Sequence, residues 1–331
     1  YRRNRNSDIR MSELKTNKIA TNDANNVAVD DSLNLKSYTT PQRDALTSTA
    51  GDVIYNSTVG NPQVYDGSSW NDLKAGLEGF LLEFLVVGGG GGGGSGAHDK
   101  HGGGGGSGGF RNSRTGEQTG HPVTSPEAKY RVLADGSTTY TINVGGGGVS
   151  GNRGTYSQFD TIYAGGGGQG GATGQYYTFN STPLGGGGGG NQYGGGFQIA
   201  QSGAYGQAGG GANSGGGGGG AGGNASGTNA GTFKASSITG SSVNYAQGGY
   251  GGGNSTRNNG GANTGEGGRG NNRNSANSYA GYTGGSGIVV LRYATADATI
   301  SVGAGLTSSS TTSGSDTIVS FTAGTGTVSF S

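Results

Sequence analysis

The hydrophobic residues of this chain lie in short segments separated by polar and glycine-rich stretches. Val53–Tyr55 and Gln63–Tyr65 are β-prone and flank the turn residues of "NSTVGNP", a pattern that predicts a β-hairpin. Further strands are predicted for the apolar segments "EFLVV" (83–87), "TYTINV" (139–144), "FDTIYA" (159–164) and "SGIVVLRY" (286–293). Since these segments are short and β-branched or aromatic, the pattern predicts a mainly β protein with almost no α-helix.

Weaker patterns near the two ends of the chain predict a few more elements. The apolar residues between Val27 and Leu35 occupy alternate positions, which is typical of short strands buried on one face. "TPQRDALTS" (40–48) predicts one helical turn and nothing longer. "DTIVSFTAGTGTVSFS" (316–331) alternates well enough to predict two strands.

Glycine changes the meaning of this pattern, because 81 of the 331 residues are glycine and only 29% are apolar. Five prolines without a G-X-Y repeat exclude collagen, and 17 tyrosines with a net charge of +1 argue against a disordered linker. Glycine runs can form polyproline II helices that pack closely side by side, since no Cβ separates their backbones. The strands beside the runs would fix their ends and offset part of the entropy cost. These runs are 88–94, 102–106, 145–148, 165–168, 185–190, 215–220 and 251–253.

The composition shifts predict four regions. Residues 1–50 form an N-terminal attachment segment, and residues 51–79 form a β-hairpin fibre module. Residues 80–293 form a β-framed domain of packed polyglycine helices, and residues 294–331 form a Ser/Thr-rich β segment. The expected architecture is therefore a fibrous N-terminal β stem that carries a glycine-rich domain.

Two regions of the chain, the predicted hairpin and the glycine-rich region, resemble known proteins. "GDVIYNSTVGNPQVYDGSSWNDL" (51–73) resembles the small repeated module of tail-fibre proteins of tailed bacteriophages. "EFLVVGGGGGGGSG", "TYTINVGGGG", "FDTIYAGGGGQGG" and "GGSGIVVLRY" resemble the glycine-rich domains of phage fibre-tip adhesins and the glycine-rich region of anaplastic lymphoma kinase receptors. The resemblance implies packed polyglycine helices with surface loops that bind. The tail after Tyr293 departs from the usual pattern.

Little in the sequence indicates catalysis or metal binding. The chain has no cysteine, so it has neither disulfides nor thiolate metal sites. "AHDKH" holds the weak metal-ligand candidates His98, Asp99 and His101, with His121 nearby, but a polar loop tip is the simpler interpretation. No carboxylate pair lies beside an apolar strand, and matches to phosphate-binding glycine motifs are trivial here. We therefore expect no enzyme activity and no cofactor.

Recognition is the chemistry that the segments between the glycine runs favour. They interleave tyrosine with asparagine, serine and glutamine, as adaptable binding surfaces do. The alternative is that these rings only cover the edges of the glycine bundle. The candidate receptor-binding residues are Gln175, Tyr176, Tyr177, Phe179, Asn180, Gln192, Tyr193, Phe197, Tyr205, Tyr245 and Tyr250.

The sequence thus predicts a virion appendage protein, a tail fibre or a similar structure, that binds a host receptor. We expect a homotrimer that contacts other virion structural proteins through its N-terminus and a bacterial surface glycan or outer-membrane protein through its loops. No nucleic-acid binding and no membrane insertion are expected. The alternative is a purely architectural fibre or a head or tail decoration protein without a receptor. A secreted cellular adhesin is disfavoured, because no signal-peptide pattern opens the chain.

Overall fold

Strands account for most of the regular structure in the computed structural model, which describes residues 34–73, 79–96, 101–172, 215–253, 258–272 and 280–331. The chain divides into two units, Tyr1–Ala75 and Gly76–Ser331. The described residues contain a single α-helix, which is five residues long. The predicted mainly β fold is confirmed.

The first unit is a four-stranded sheet with the strand order β1-β2-β3-β4. Its elements are β1 (Ser37–Tyr38), α1 (Thr40–Asp44), β2 (Val53–Asn56), β3 (Asn61–Tyr65) and β4 (Trp70–Asp72). The predicted hairpin is confirmed as β2 and β3, which pair in antiparallel register around a turn at 57–60. The predicted helical turn is confirmed as α1. Most of the alternating stretch from Val27 to Leu35 lies outside the described residues.

The interior of the first unit is polar. Among its described residues Ile54 is the one buried hydrophobic side chain, while Asn56 and Gln63 are 0% and 5% exposed. Asn56 Nδ2 donates to Gln63 Oε1 at 3.0 Å, and Gln63 Nε2 donates to Asp72 Oδ1 at 2.6 Å. Arg43 Nη1 also donates to Gln63 Oε1, at 2.9 Å. Side-chain hydrogen bonds between neighbouring strands and α1 therefore take the place of most of an apolar core in this small sheet.

The second unit is built around a ten-stranded sheet and a separate two-stranded hairpin. The sheet has the path β10-β9-β8-β16-β13-β5-β6, with β7 also pairing with β5, and β14 and β15 also pairing with β16. The two-stranded hairpin consists of β11 and β12. The strands are β5 (Gly79–Val87), β6 (Phe110–Asn112), β7 (Tyr130–Leu133), β8 (Tyr140–Asn143), β9 (Ser157–Phe159), β10 (Ile162–Ala164), β11 (Lys234–Ser236), β12 (Val243–Tyr245), β13 (Ile288–Ala294), β14 (Ile300–Val302), β15 (Leu306–Ser313) and β16 (Asp316–Phe330).

The central strands β5 and β13 bury side chains on both faces of the sheet. Phe84 and Leu291 belong to one hydrophobic cluster, in which the sheet curls around aromatic rings such as Phe159. Leu85 and Val290 belong to a second cluster, on the side of the β11–β12 hairpin. Because both faces are covered, these strands have continuous apolar runs instead of alternating ones. All four strand segments predicted beside the glycine runs are confirmed, "FDTIYA" as parts of β9 and β10.

The last strand differs from the prediction. β16 is one strand of 15 residues where the sequence predicts two. Its first half lies between β13 and β15, and its second half pairs with β8 and β14. Gly324 has a φ of 97° at the junction, so the strand changes partners there while its ladder continues.

Glu83 on β5 is a buried carboxylate whose partners give a pH-dependent prediction. Burial raises its pKa, but hydrogen bonds from Arg114 and Thr115 outweigh burial and bring the pKa from 4.5 to about 2. Arg114 Nη1 lies 2.5 Å from Glu83 Oε2, and Thr115 Oγ1 donates to Oε1 at 2.7 Å. A lowered pKa in the folded state means that this stabilisation is complete above pH 4.5 and is lost as the pH falls toward 2.

We expect Glu83→Gln to lower the free energy of unfolding at pH 7 by on the order of 3 kcal/mol. The difference from wild type should shrink as the pH falls from 4.5 to 2, because the wild-type carboxylate protonates in that window. Urea denaturation at several pH values measures both effects, and Asp297→Asn in an exposed turn serves as the control. Equal stability of wild type and Glu83→Gln at pH 7 would contradict the assignment.

Candidate functional site

The candidate site is built on the glycine run that continues β5 without a turn. Residues 82–94 are all buried, although Gly88–Gly94 contribute no side chain. The seven amides of this run all donate to backbone carbonyls of other segments, at 2.8–3.0 Å. The glycine run is therefore an ordered part of the interior, and not a flexible tether.

The neighbouring segments that accept from these amides repeat every three residues along the run. Three of the seven amides donate to the segment 103–109, two to 152–155 and two to 282–285, so that every third amide faces the same neighbour. A repeat of three residues per turn is that of the polyproline II helix. None of Gly88–Gly94 is among the described glycines with positive φ, which agrees with the φ of about −75° of a polyproline II helix.

The carbonyls of the same run face three further neighbours. Carbonyls of residues 89–94 accept hydrogen bonds from amides of segments 148–151, 167–170 and 268–271, again at a spacing of three. The run is thus surrounded by six chain segments, three that accept its amide protons and three that donate to its carbonyls. In this way residues 89–94 satisfy both backbone hydrogen-bonding groups without forming a sheet.

A second run extends the bundle. Amides of 102–109 donate, every third residue, to the segments 165–171, 216–219 and 265–271. The partners in 216–219 advance in the same direction as the run, whereas those in the other two segments advance in the opposite direction. The bundle therefore mixes parallel and antiparallel neighbours, and both orientations give complete hydrogen bonding.

Close backbone contact explains why this bundle needs glycine. A Cβ placed on Gly91 would lie 2.0 Å from the carbonyl oxygen of Gly168, and one on Gly105 would lie 2.1 Å from that of Gly91. Similar distances, about 1.9–2.2 Å from backbone oxygens, apply across most of the buried glycines. No side chain can move aside to relieve such a contact, because the clashing atoms belong to the backbone.

One end of the bundle joins the strands. The runs meet β5, β6, β8, β9, β10 and β13 at this end, where for example the Gly88 amide donates to Gly109 and the Gly287 amide donates to Gly145. We call this the strand end. The two hydrophobic clusters lie on the strands, so the apolar core anchors one end of a bundle whose interior has almost no side chains.

The connecting segments leave the bundle at the opposite end, which we call the loop end. In the described part of the chain, exits at this end follow Gly94, Gly148, Gly171, Gly252 and Asn271. These exits lie together, since Gly102 donates to Asn271, Gly103 donates to Gly171, and Gly252 donates to Gly102. Ser150 Oγ accepts from the Gly281 amide at 2.7 Å, which places the 148–152 turn at the same end. Segments remote in sequence thus start from one surface.

The structure describes two of the eleven candidate receptor-binding residues. Tyr245 is 3% exposed and packs near Phe110 in the second hydrophobic cluster, with a ring-centroid distance of 6.3 Å. Its ring is therefore part of the core and not of a binding surface. The other nine lie in 173–214, outside the described residues, but the neighbouring Gly171 and Gly215 lie at the loop end.

Tyr250 lies close to the loop end, where its ring is partly exposed. The Arg269 guanidinium lies over this ring, 4.3 Å from its centroid, and the Gly270 amide donates to the Tyr250 carbonyl. Nε and Nη1 of Arg269 are buried without a hydrogen-bond partner in the described part of the chain. The contact with the Tyr250 ring is thus a cation–π interaction that stabilises this guanidinium where two of its nitrogens lack a hydrogen bond.

The candidate metal ligands are only partly described. His98 and Asp99 fall in 97–100, outside the described residues, while His101 and His121 both have interactions within the protein. Across the described ranges no group of three or more histidine and acidic side chains is placed to hold a metal ion. The same ranges contain no helix with the length and hydropathy needed to cross a membrane.

Comparison with protein families finds a match over residues 79–294, to a family of glycine-rich domains. The chain belongs to this glycine-rich domain family. The matched range begins with the first residue of β5 and ends with the last residue of β13. Strands β14–β16 lie beyond it, yet they complete the sheet of the glycine-rich domain. Neither curated proteins nor solved structures give a significant match to the chain.

Side-by-side packing of the glycine runs predicts that the segments joining them lie together at the two ends of the bundle, and the structure adds that one end joins the strands while the other carries the loops. A signal for this difference between the ends exists, because several glycine runs have an apolar strand segment on one side and a polar segment on the other. Strand segments converge in one sheet, so the polar sides of the runs must converge at the other end.

We expect Gly91→Ala to lower the melting temperature of the glycine-rich domain by about 10 °C or to prevent folding. The reason is the backbone oxygen 2.0 Å from the new Cβ. Gly146→Ala is the matched control, since its Cβ would meet only Thr155 Oγ1 at 3.9 Å. Thermal denaturation of both variants tests this, and equal melting curves for the two would refute close packing as the reason for glycine.

Ser107 interrupts the second glycine run and gives the opposite prediction. Its side chain is fully buried, and its Oγ has no hydrogen-bond partner among the described residues. We expect Ser107→Ala to raise the free energy of unfolding by about 1 kcal/mol, because it removes an unsatisfied buried hydroxyl. Gly105→Ala, two residues earlier, should destabilise the domain. A loss of stability in Ser107→Ala would show that the hydroxyl has a partner.

Proposed function

We propose that the chain is a virion appendage protein, a phage tail fibre or a similar fibre, that binds a bacterial surface through the loops of its glycine-rich domain. The observation that carries the proposal is the convergence of the described chain exits at the loop end. This arrangement presents several independent loops on one surface, as rigid scaffolds with variable binding loops do.

The glycine bundle suits such a display for a physical reason. Its interior consists mostly of glycine whose backbone groups are paired with one another, so the interior of the bundle has little capacity for recognition. Loops at its end can change in length and sequence without touching these contacts. Binding specificity can therefore change while the scaffold stays constant.

The first unit supports the fibre assignment. Its sequence resembles the tail-fibre module, and β2 alternates buried Ile54 and Asn56 with Val53 and Tyr55, which are 40% and 38% exposed. A sheet this small, with one buried aliphatic side chain in its described part, gains stability if other copies of the chain cover the face that holds Val53 and Tyr55. We therefore propose a homotrimer in which this unit forms the stem and attaches to other virion structural proteins.

The proposed receptor is a neutral glycan or a loop of an outer-membrane protein. The candidate residues in 175–205 are tyrosine, phenylalanine, asparagine and glutamine, so they provide rings for stacking and amides for hydrogen bonds but no charge. Binding through such groups depends little on ionic strength, in contrast to charge-driven adsorption.

The experiment measures binding of the labelled full chain to a panel of bacterial cells. For strains that bind, we expect the triple variant Tyr176→Ser, Tyr177→Ser, Tyr193→Ser to lose at least about tenfold in affinity. Raising the salt from about 0.1 M to 1 M should change wild-type binding little.

Tyr156 and Tyr163 provide the control, since they are 48% and 42% exposed near the strand end. The double variant Tyr156→Ser, Tyr163→Ser should bind as wild type does. Unchanged binding by the triple variant would place the receptor site elsewhere. If the full chain bound no strain of the panel but still assembled into virions, the architectural alternative would be favoured.

A further inference from the structure

A cleft in the C-terminal part of the sheet has the lining of a small-molecule site. It has a volume of about 420 Å³ and lies between β14, β15 and the first half of β16. This size falls within the range of roughly 300–1,000 Å³ that is typical of ligand pockets. The cleft is part of the sheet and is separate from the loop end.

The pairing of β14 and β15 with different parts of β16 creates this cleft. β14 pairs with the end of β16 and β15 pairs with its beginning, and Gly324, with its φ of 97°, lies between the two pairings. β15 has β16 as its one strand neighbour in the described sheet, and residues 307–312 are all exposed. The face of β15 that holds Ser308 and Ser310 lines the cleft.

The polar part of the lining consists of hydroxyl groups. Thr295 and Thr317 share a hydrogen bond between their Oγ1 atoms, at 2.8 Å. Ser308 and Ser310 make no side-chain hydrogen bond within the described structure, so their hydroxyls can each donate and accept. These four groups can exchange hydrogen bonds with a ligand that carries hydroxyls of its own.

The remaining lining is uncharged and, apart from the hydroxyl groups of Thr299 and Tyr293, apolar. Val319 and Tyr293 are 1% and 4% exposed and form the floor, while Ile300 and Val302 of β14 form one wall. No Lys, Arg, Asp, Glu or His lines the cleft. An ionised ligand would therefore lose hydration without gaining a partner for its charge.

We propose that this cleft binds a neutral saccharide of one or two rings. Hydroxyl groups on the ligand would pair with Ser308, Ser310 and the two threonines, and the C–H face of a sugar ring would pack on Val319, Ile300 and Val302. The site is independent of the receptor-binding function proposed for the loop end, and it can exist whether or not those loops bind cells.

The test is NMR on the full chain with the methyl glycosides of glucose, galactose, mannose and N-acetylglucosamine at millimolar concentration. We expect at least one of them to receive saturation transfer from the protein and to shift the methyl resonances of Ile300 and Val302. Methyl glucuronide should bind at least about tenfold more weakly, because its carboxylate finds no counter-charge. Absence of saturation transfer for all four neutral sugars would overturn the proposal.

Two serines on the same strand give a matched pair of variants. Ser310→Tyr would fill the cleft and should abolish sugar binding, whereas Ser309→Tyr lies on the opposite face of β15 and should leave it unchanged. Both positions are exposed, so both variants should fold, which their melting curves verify; Ser308→Tyr provides a second blocked cleft. Sugar binding that persists in Ser310→Tyr and Ser308→Tyr, or that is lost equally in Ser309→Tyr, would overturn the assignment of the site.

Discussion

The contact between bare backbones determines most of this structure. Segments of the bundle approach so closely that a methyl group on Gly91 would overlap a backbone oxygen, and this closeness allows every amide from Gly88 to Gly94 to reach a carbonyl of another segment. The interior of the bundle therefore consists of hydrogen bonds where most proteins have side chains. Its order depends on the strands, because glycine loses more conformational freedom on folding than any other residue.

This dependence explains the arrangement of the second unit. Apolar side chains are scarce, and those that exist are concentrated in two clusters on the sheet, at the strand end. Strand β5 continues directly into a glycine segment, and β13 directly follows one. Because both strands are buried on both faces, they hold the ends of these segments in place and so stabilise the bundle. The loop end has no apolar core to cover, so polar segments can connect the glycine runs there without loss of stability.

The sequence allowed prediction of those parts of the fold that depend on local pattern. The apolar segments such as 83–87 predict strands because their residue types suffice, and the glycine runs predict close packing because only glycine permits it. Strand β15, with the sequence "LTSSSTTS", was missed because both of its faces are open and backbone pairing with β16 holds it. Tyr245 and Tyr250 lie five residues apart and both read as candidate surface rings, and the tertiary packing shows that the Tyr245 ring belongs to the core while the Tyr250 ring is partly exposed. Most other candidate site residues lie outside the described ranges, so their prediction is untested.

The three-residue hydrogen-bond repeat also restricts how such a domain can change in evolution. Inserting one glycine into a run would rotate every following residue by a third of a turn, so each amide would face a different neighbour. Inserting three would restore all partners and lengthen the run by about 9 Å. A run of identical residues cannot specify its own register, so the junctions with the strands must specify it. Domains of this kind should therefore grow and shrink in whole turns, with neighbouring runs changing length together.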